Sequence, residues 1–114
     1  MTATENKPRW KAMRTEETIR VEDFIKQAGF ENVDAYRYNS ASIRVRVIDP
    51  RFEGLQIEER DSFIEPLLHK LPERTQGDLT MLLTLAPSEV DPDSKNYRSL
   101  WMNSEFDDPS PSRL

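Results

Sequence analysis

From residue 42 to 48 polar and apolar side chains alternate without a break: Ile43, Val45 and Val47 fall on one side, and Ser42, Arg44 and Arg46 on the other. A period of two marks a strand with one face turned to a core. Asp49-Pro50 ends the run, since proline has no ladder donor and restricts the residue before it. The β-prone run 33–38 and the short polar connection Asn39-Ser40-Ala41-Ser42 predict an antiparallel hairpin with this strand. Upstream the period lengthens. Val21, Phe24, Ile25 and Ala28 recur at i, i+3, i+4 and i+7 and predict a helix over 15–28, with Glu22, Asp23, Lys26 and Gln27 facing water. Glu16 and Glu17 suit the positive end of its dipole, and Gly29 is a natural stop.

Beyond Pro50, the segment 51–54 makes a tight connection into a second helix from about residue 55. Ile57, Ile64, Leu67, Leu68 and Leu71 form its stripe, interrupted by Arg60 and Asp61. Pro66 removes a helical hydrogen bond at roughly 3 kcal/mol, so a kink over 62–66 is expected. A short helical turn over 72–77 and the nearly continuous apolar run 79–85, a buried strand, follow. About thirty residues part the second strand from the third, enough for a right-handed crossover that returns the chain parallel to its start. The expected class is α+β, in the order α-β-β-α-α-β. A three-stranded mixed sheet, with strand 43–48 in its middle, packs on helices. Three parts follow: a flexible basic arm over 1–14 whose Trp10 packs on the domain, the α/β domain over 15–89, and an acidic C-terminal extension over 90–114. In the extension Ser94 caps a short helix carrying Tyr97, Leu100 and Trp101, and the rest, including Phe106, is a tail.

Composition narrows the chemistry. Apolar residues make up 36% and charged residues 32% of the 114, the mark of a single domain with a modest core. With no cysteine and one histidine, disulfides, thiolate metal sites and cysteine catalysis are excluded, and no cofactor is expected. No run approaches the roughly 20 apolar residues of a membrane span, and the N-terminus has no apolar signal core, so a cytoplasmic protein without membrane contact is expected. The net charge of −5 disfavours general nucleic-acid binding, which relies on Lys and Arg neutralising phosphates. The segment 1–14 runs against that average, with Lys7, Arg9, Lys11 and Arg14 against Glu5.

Two surfaces are candidates. Arg37, Arg44, Arg46 and Arg51, near Tyr36 and Tyr38, can hold phosphates or stack on bases as sheet surfaces of RNA-binding modules do. Equally, charged residues on an open sheet face are ordinary and guard edges against aggregation. The second surface is the turn after the central strand, where a partner can meet Arg51, Phe52, Gly54, Arg60 and Asp61. No catalytic constellation emerges. His69 lies two helical turns from Ser62, too far for a direct hydrogen bond. The carboxylate pairs Glu58-Glu59, Asp91 with Asp93, and Asp107-Asp108 have no apolar surroundings to shift a pKa. No enzyme is expected.

The element order, with Asp49-Pro50-Arg51-Phe52-Glu53-Gly54 after the second strand and Ile57-Glu58-Glu59-Arg60-Asp61-Ser62 opening the next helix, resembles the BolA family. The likeness covers roughly residues 18–89, and Ala86-Pro87-Ser88-Glu89 is similar to the family's exit from its third strand. It implies a class II KH-like fold, a cytoplasmic regulatory role and pairing with a monothiol glutaredoxin around a two-iron, two-sulfur cluster. The family's histidines, however, fall at Asp61 and at about Leu82, and His69 matches neither. A hard carboxylate and an aliphatic chain cannot replace imidazole on a soft metal, so cluster binding is not carried over. Phe52 then plugs the sheet end, Gly54 supplies an unusual backbone angle, and Arg60 pairs with Glu53 or Glu59. Glycines stand only at 29, 54 and 77, so the Gly-x-x-Gly loop of KH-type RNA binding is absent. The reading is a small, non-catalytic, BolA-like regulator or adaptor acting through protein contacts; the alternative is a nucleic-acid-binding regulator using the arginine face and the basic arm.

Overall fold

The strand order β1-β2-β3 places β2 (Ser42–Ile48) between β1 (Asn32–Asn39), antiparallel to it, and β3 (Leu79–Leu85), parallel to it. The computed structural model describes residues 8–114. Helix α1 (Glu16–Gln27) precedes the sheet, and α2 (Ile57–Leu68) and α3 (Glu73–Asp78) form the crossover. The short α4 (Pro87–Val90) and α5 (Trp101–Asp107) follow β3. This is the expected α+β class, with its three-stranded mixed sheet and β2 in the centre.

Local chemistry accounts for the element ends. The Thr15 hydroxyl accepts from the Thr18 amide while the Thr18 hydroxyl accepts from the Thr15 amide, a reciprocal cap that starts α1. Gly29 stops it at φ +106°, where a side chain is strained. The hairpin closes on Ser40 and Ala41, with the Asn39 side chain accepting the Ala41 amide. Asp49 accepts the Arg51 amide and starts a single 3-10 turn, Pro50–Phe52. Helix α2 runs without a break through the stretch where a kink was expected. Pro66 lies two residues from its end, so one carbonyl, that of Ser62, loses its helical partner and the helix closes soon after.

Between the sheet and α1 and α2, Val21, Ile25, Val33, Ala35, Ile43, Val45, Val47, Ile64 and Leu68 form the main core. Phe52 is fully buried at its end, with its ring 6.2 Å from Phe30 and 6.3 Å from Phe63. Glu22, expected in water, is also buried. Its carboxylate accepts the Ala35 amide of β1 (2.8 Å) and two Arg14 nitrogens (2.5 and 3.1 Å), which meet the demand of a buried charge for partners.

Helices alone on one face was the expectation; the other face is covered too. There Trp10, Tyr36, Leu83 and Phe106 make a second core, with Phe106 4.8 Å from Tyr36 edge to face and 5.7 Å from Trp10. Trp10 sits in a 3-10 helix, Arg9–Met13, while residues 1–7 of the expected arm lie outside the described residues. The extension departs most from expectation. Its helix is Trp101–Asp107, after turns over 91–97, so the segment expected as a tail carries the buried Phe106. Of the apolar positions of the expected helix, Tyr97 and Trp101 are exposed and Leu100 is half-buried. The outer sheet face, where Trp10, Tyr36 and Leu83 stand beside Arg44 and Arg46, takes up the more distant Phe106 instead, a pairing invisible as local periodicity.

Candidate functional site

The turn after β2 is internally satisfied. Asp49 accepts the Arg51 amide and side chain, and Arg51 also donates to the Gly29 carbonyl (2.8 Å) and lies over the Phe30 ring (3.9 Å). The Arg51 guanidinium holds the Asp49 carboxyl below its usual range. Gly54 turns the chain at φ +75° with open space where a side chain would stand. Arg60 pairs with neither Glu53 nor Glu59. Glu59 accepts the Gln56 amide, and Glu53 accepts from the Ser88 amide and hydroxyl. The buried Arg60 instead grips Glu89 with both terminal nitrogens (2.6 and 3.0 Å) and donates to the Leu55 and Thr84 carbonyls. This fork lowers the Glu89 pKa, clamps α2 to α4 and covers the β3 edge at Thr84. Asp61 accepts the Thr84 hydroxyl (2.8 Å). Of the five residues proposed for a partner, Phe52 and Arg60 are buried and Asp61 is bonded into the fold, leaving Arg51 and Gly54 as the exposed members.

The side chains present do not fit the iron–sulfur cluster implied by the resemblance. Asp61 is a hard oxygen ligand engaged with Thr84, and Leu82 packs on the main core. Among the described residues no three His, Cys, Asp or Glu side chains converge as metal ligands.

The four arginines of the alternative site do not share a surface. Arg44 and Arg46 lie on the outer sheet face, both buried under α5. Arg37 is on the helix side, bonded to Glu17 (2.7 Å) and Asp78 (3.0 Å), and Arg51 is at the end of the sheet with Asp49. The β1–β2 register sets this split, since Tyr36 faces Arg44 and Asp34 faces Arg46, leaving Arg37 opposite Ile43.

An open feature that sequence reasoning missed is a groove of about 960 Å³ between α1 and the Leu71–Pro72 turn leading into α3. Val21, Phe24 and Leu71 make its apolar floor, and the Arg37–Glu17–Asp78 cluster closes one end. Glu17 also accepts the Thr75 hydroxyl, and its carboxyl is held low chiefly by Arg37. On the rim Arg20, Lys70 and Arg74 are exposed and make no ion pair among the described residues; Asp23 is the acidic rim residue. The signal was present in α1, where Glu17, Arg20, Val21 and Phe24 share a face, but the opposing Lys70 and Arg74 come from fifty residues away.

No protein-family model matches the chain, and no curated protein or solved structure matches it significantly. The fold and site thus define an α+β protein with a three-stranded mixed sheet and a cationic, apolar-floored groove. No helix of the described residues is long and apolar enough to cross a membrane.

Proposed function

We propose that the chain is a small, non-catalytic adaptor of BolA-like build that binds an acidic, amphipathic segment of a protein partner in the groove between α1 and α3. The observation that carries this reading is the pairing of an apolar floor with three cations that make no ion pair among the described residues, on a chain whose net charge is −5. A partner residue on Val21, Phe24 and Leu71 gains affinity by desolvation, while Arg20, Lys70 and Arg74 select acidic flanks and speed encounter. The BolA likeness rests on the α-β-β-α-α-β order and on the turn from Asp49 to Gly54. It makes a monothiol glutaredoxin the first partner to test, as a protein contact without a shared cluster, in the cytoplasm.

The experiment titrates wild-type protein and Arg20→Glu/Arg74→Glu with a purified monothiol glutaredoxin and with a fluorescein-labelled acidic amphipathic peptide. At least one probe should bind the wild type, with at least tenfold loss in the charge-reversed protein. Failure of both probes to bind, or equal affinity for both proteins, overturns the groove as the contact. A labelled single-stranded oligonucleotide that binds instead, with a steep fall in salt, supports the nucleic-acid alternative.

A further inference from the structure

The outer sheet face is occupied, and what occupies it has a specific chemistry. Arg44 and Arg46 stand two residues apart on β2, with Tyr36 and Tyr38 of β1 beside them and the Trp10 ring near Arg46. Onto this surface the chain folds its own Glu105-Phe106-Asp107. The Phe106 ring is fully buried against Trp10 and Tyr36, with the Arg46 guanidinium 4.3 Å from its centre. Glu105 meets Arg44 (3.0 Å), and Asp107 meets Arg46 (2.6 Å). Asn103 also accepts from Arg46 (2.8 Å). An aromatic ring flanked by two carboxylates fills an aromatic pocket flanked by two guanidinium groups.

We propose that this face is a binding site for an acidic segment bearing one aromatic residue on a protein partner, and that Glu105-Phe106-Asp107 is the internal competitor holding it. Two observations set the occupant apart from ordinary core. Arg46 is buried, yet its Nε has no hydrogen-bond partner, because Asp107 and Asn103 meet Nη1 and Asp34 meets Nη2. A carboxylate oxygen that reaches Nε beside Asp34 satisfies that donor, which the internal occupant leaves unmet. The tether on the N-terminal side of the occupant is also light. Residues 91–99 are exposed apart from Ser94, and they bond to the domain through the Arg98 amide to the Glu89 carbonyl (2.9 Å) and Asn96 to Ser88 (3.4 Å). Beyond the helix the chain returns to β1, where Tyr38 donates to the Ser110 carbonyl (2.6 Å), Asn39 donates to Ser112 (2.9 Å) and Pro109 is buried. The seven-residue helix and residues 108–114 therefore leave together while α1, α2 and the main core stay in place.

The charges favour a peptide over nucleic acid. With the segment released, Asp34 remains beside Arg46 and offsets one of the two cations, a poor surface for a polyphosphate and a sufficient one for two carboxylates. The occupant tethered in cis competes at an effective concentration of the order of millimolar, so the intact protein binds an external segment only weakly.

The test is fluorescence anisotropy with a fluorescein-labelled synthetic peptide of residues 99–114. It is titrated into the full-length wild type, into Phe106→Ala, and into Glu105→Gln/Asp107→Asn, which keeps the ring and weakens the anchors. The variants should bind at least tenfold more tightly than the wild type, and a peptide carrying alanine for Phe106 should not bind. If both variants are folded by circular dichroism and bind no better than the wild type, the proposal is overturned. It is equally overturned if Phe106→Ala binds a labelled oligothymidylate more tightly than the peptide. Should Phe106→Ala fail to fold, the Glu105→Gln/Asp107→Asn comparison decides alone.

Discussion

Replacing Glu22 with alanine tests how α1 is joined to the sheet. The side chain is 2% exposed and sits where helical periodicity places a water-facing residue. Its removal orphans the Ala35 amide, whose acceptor it is at 2.8 Å, and an unsatisfied buried donor costs about 1–3 kcal/mol. Arg14 also loses its partner, but that side chain is 38% exposed, so screening limits this contribution to under about 1 kcal/mol. Together with the lost packing, Glu22→Ala should destabilise the protein by about 2–4 kcal/mol. Glu22→Gln keeps an acceptor for Ala35 while discarding the charge, and should cost half of that or less. Urea unfolding followed by tryptophan fluorescence and far-ultraviolet circular dichroism gives both values, and a cycle with Arg14→Met isolates the ion pair. A Glu22→Ala penalty below about 0.5 kcal/mol, the range of an ordinary surface change, would refute the buried tie between α1 and β1.

Acid should weaken the fold in a defined direction. Glu17, Asp49 and Glu89 all have depressed folded pKa values, led by hydrogen bonds from Arg37, Arg51 and Arg60 respectively. The unfolded chain takes up protons first, so their stabilisation is complete above the ordinary carboxylate range and is lost as pH falls through the lower folded values. Glu89→Gln should flatten the acid limb of stability measured against pH, and an unchanged limb counts against the Arg60 clamp. Gly54→Ala should cost about 1–2 kcal/mol by calorimetry, through backbone strain alone at φ +75°, since nothing lies within 4 Å of the added carbon. Of the two tryptophans, Trp101 (73% exposed) should be quenched readily by iodide and Trp10 (6% exposed) shielded; two equally accessible tryptophans would contradict the packed outer face.

The helix side of the molecule was legible in the chain because its signals are local. Alternation over 42–48, the stripe through Val21 and Ile25, and the uncharged run from Leu79 to Leu85 each specify an element, and the length of the crossover specifies the parallel pairing. The partner of Arg60 was not legible. Glu53 and Glu59 are near in sequence, but Glu89 is brought within 2.6 Å by the return of β3. Register likewise separated Arg37 from Arg44 and Arg46, whereas composition offered them as one cationic group.

The sequence by itself determined the helices and strands of residues 15–85 and the class of the fold, because hydrophobic periodicity sets which face of each element must leave water. Tertiary structure decided what lies opposite each face. It buried Glu22 by presenting a free strand-edge amide, opened a groove between α1 and α3, and turned Phe106 from a tail residue into the centre of a second core. Contacts between residues tens of positions apart leave no periodic trace. They depend on the free energy of covering a surface that exists only once the sheet has formed.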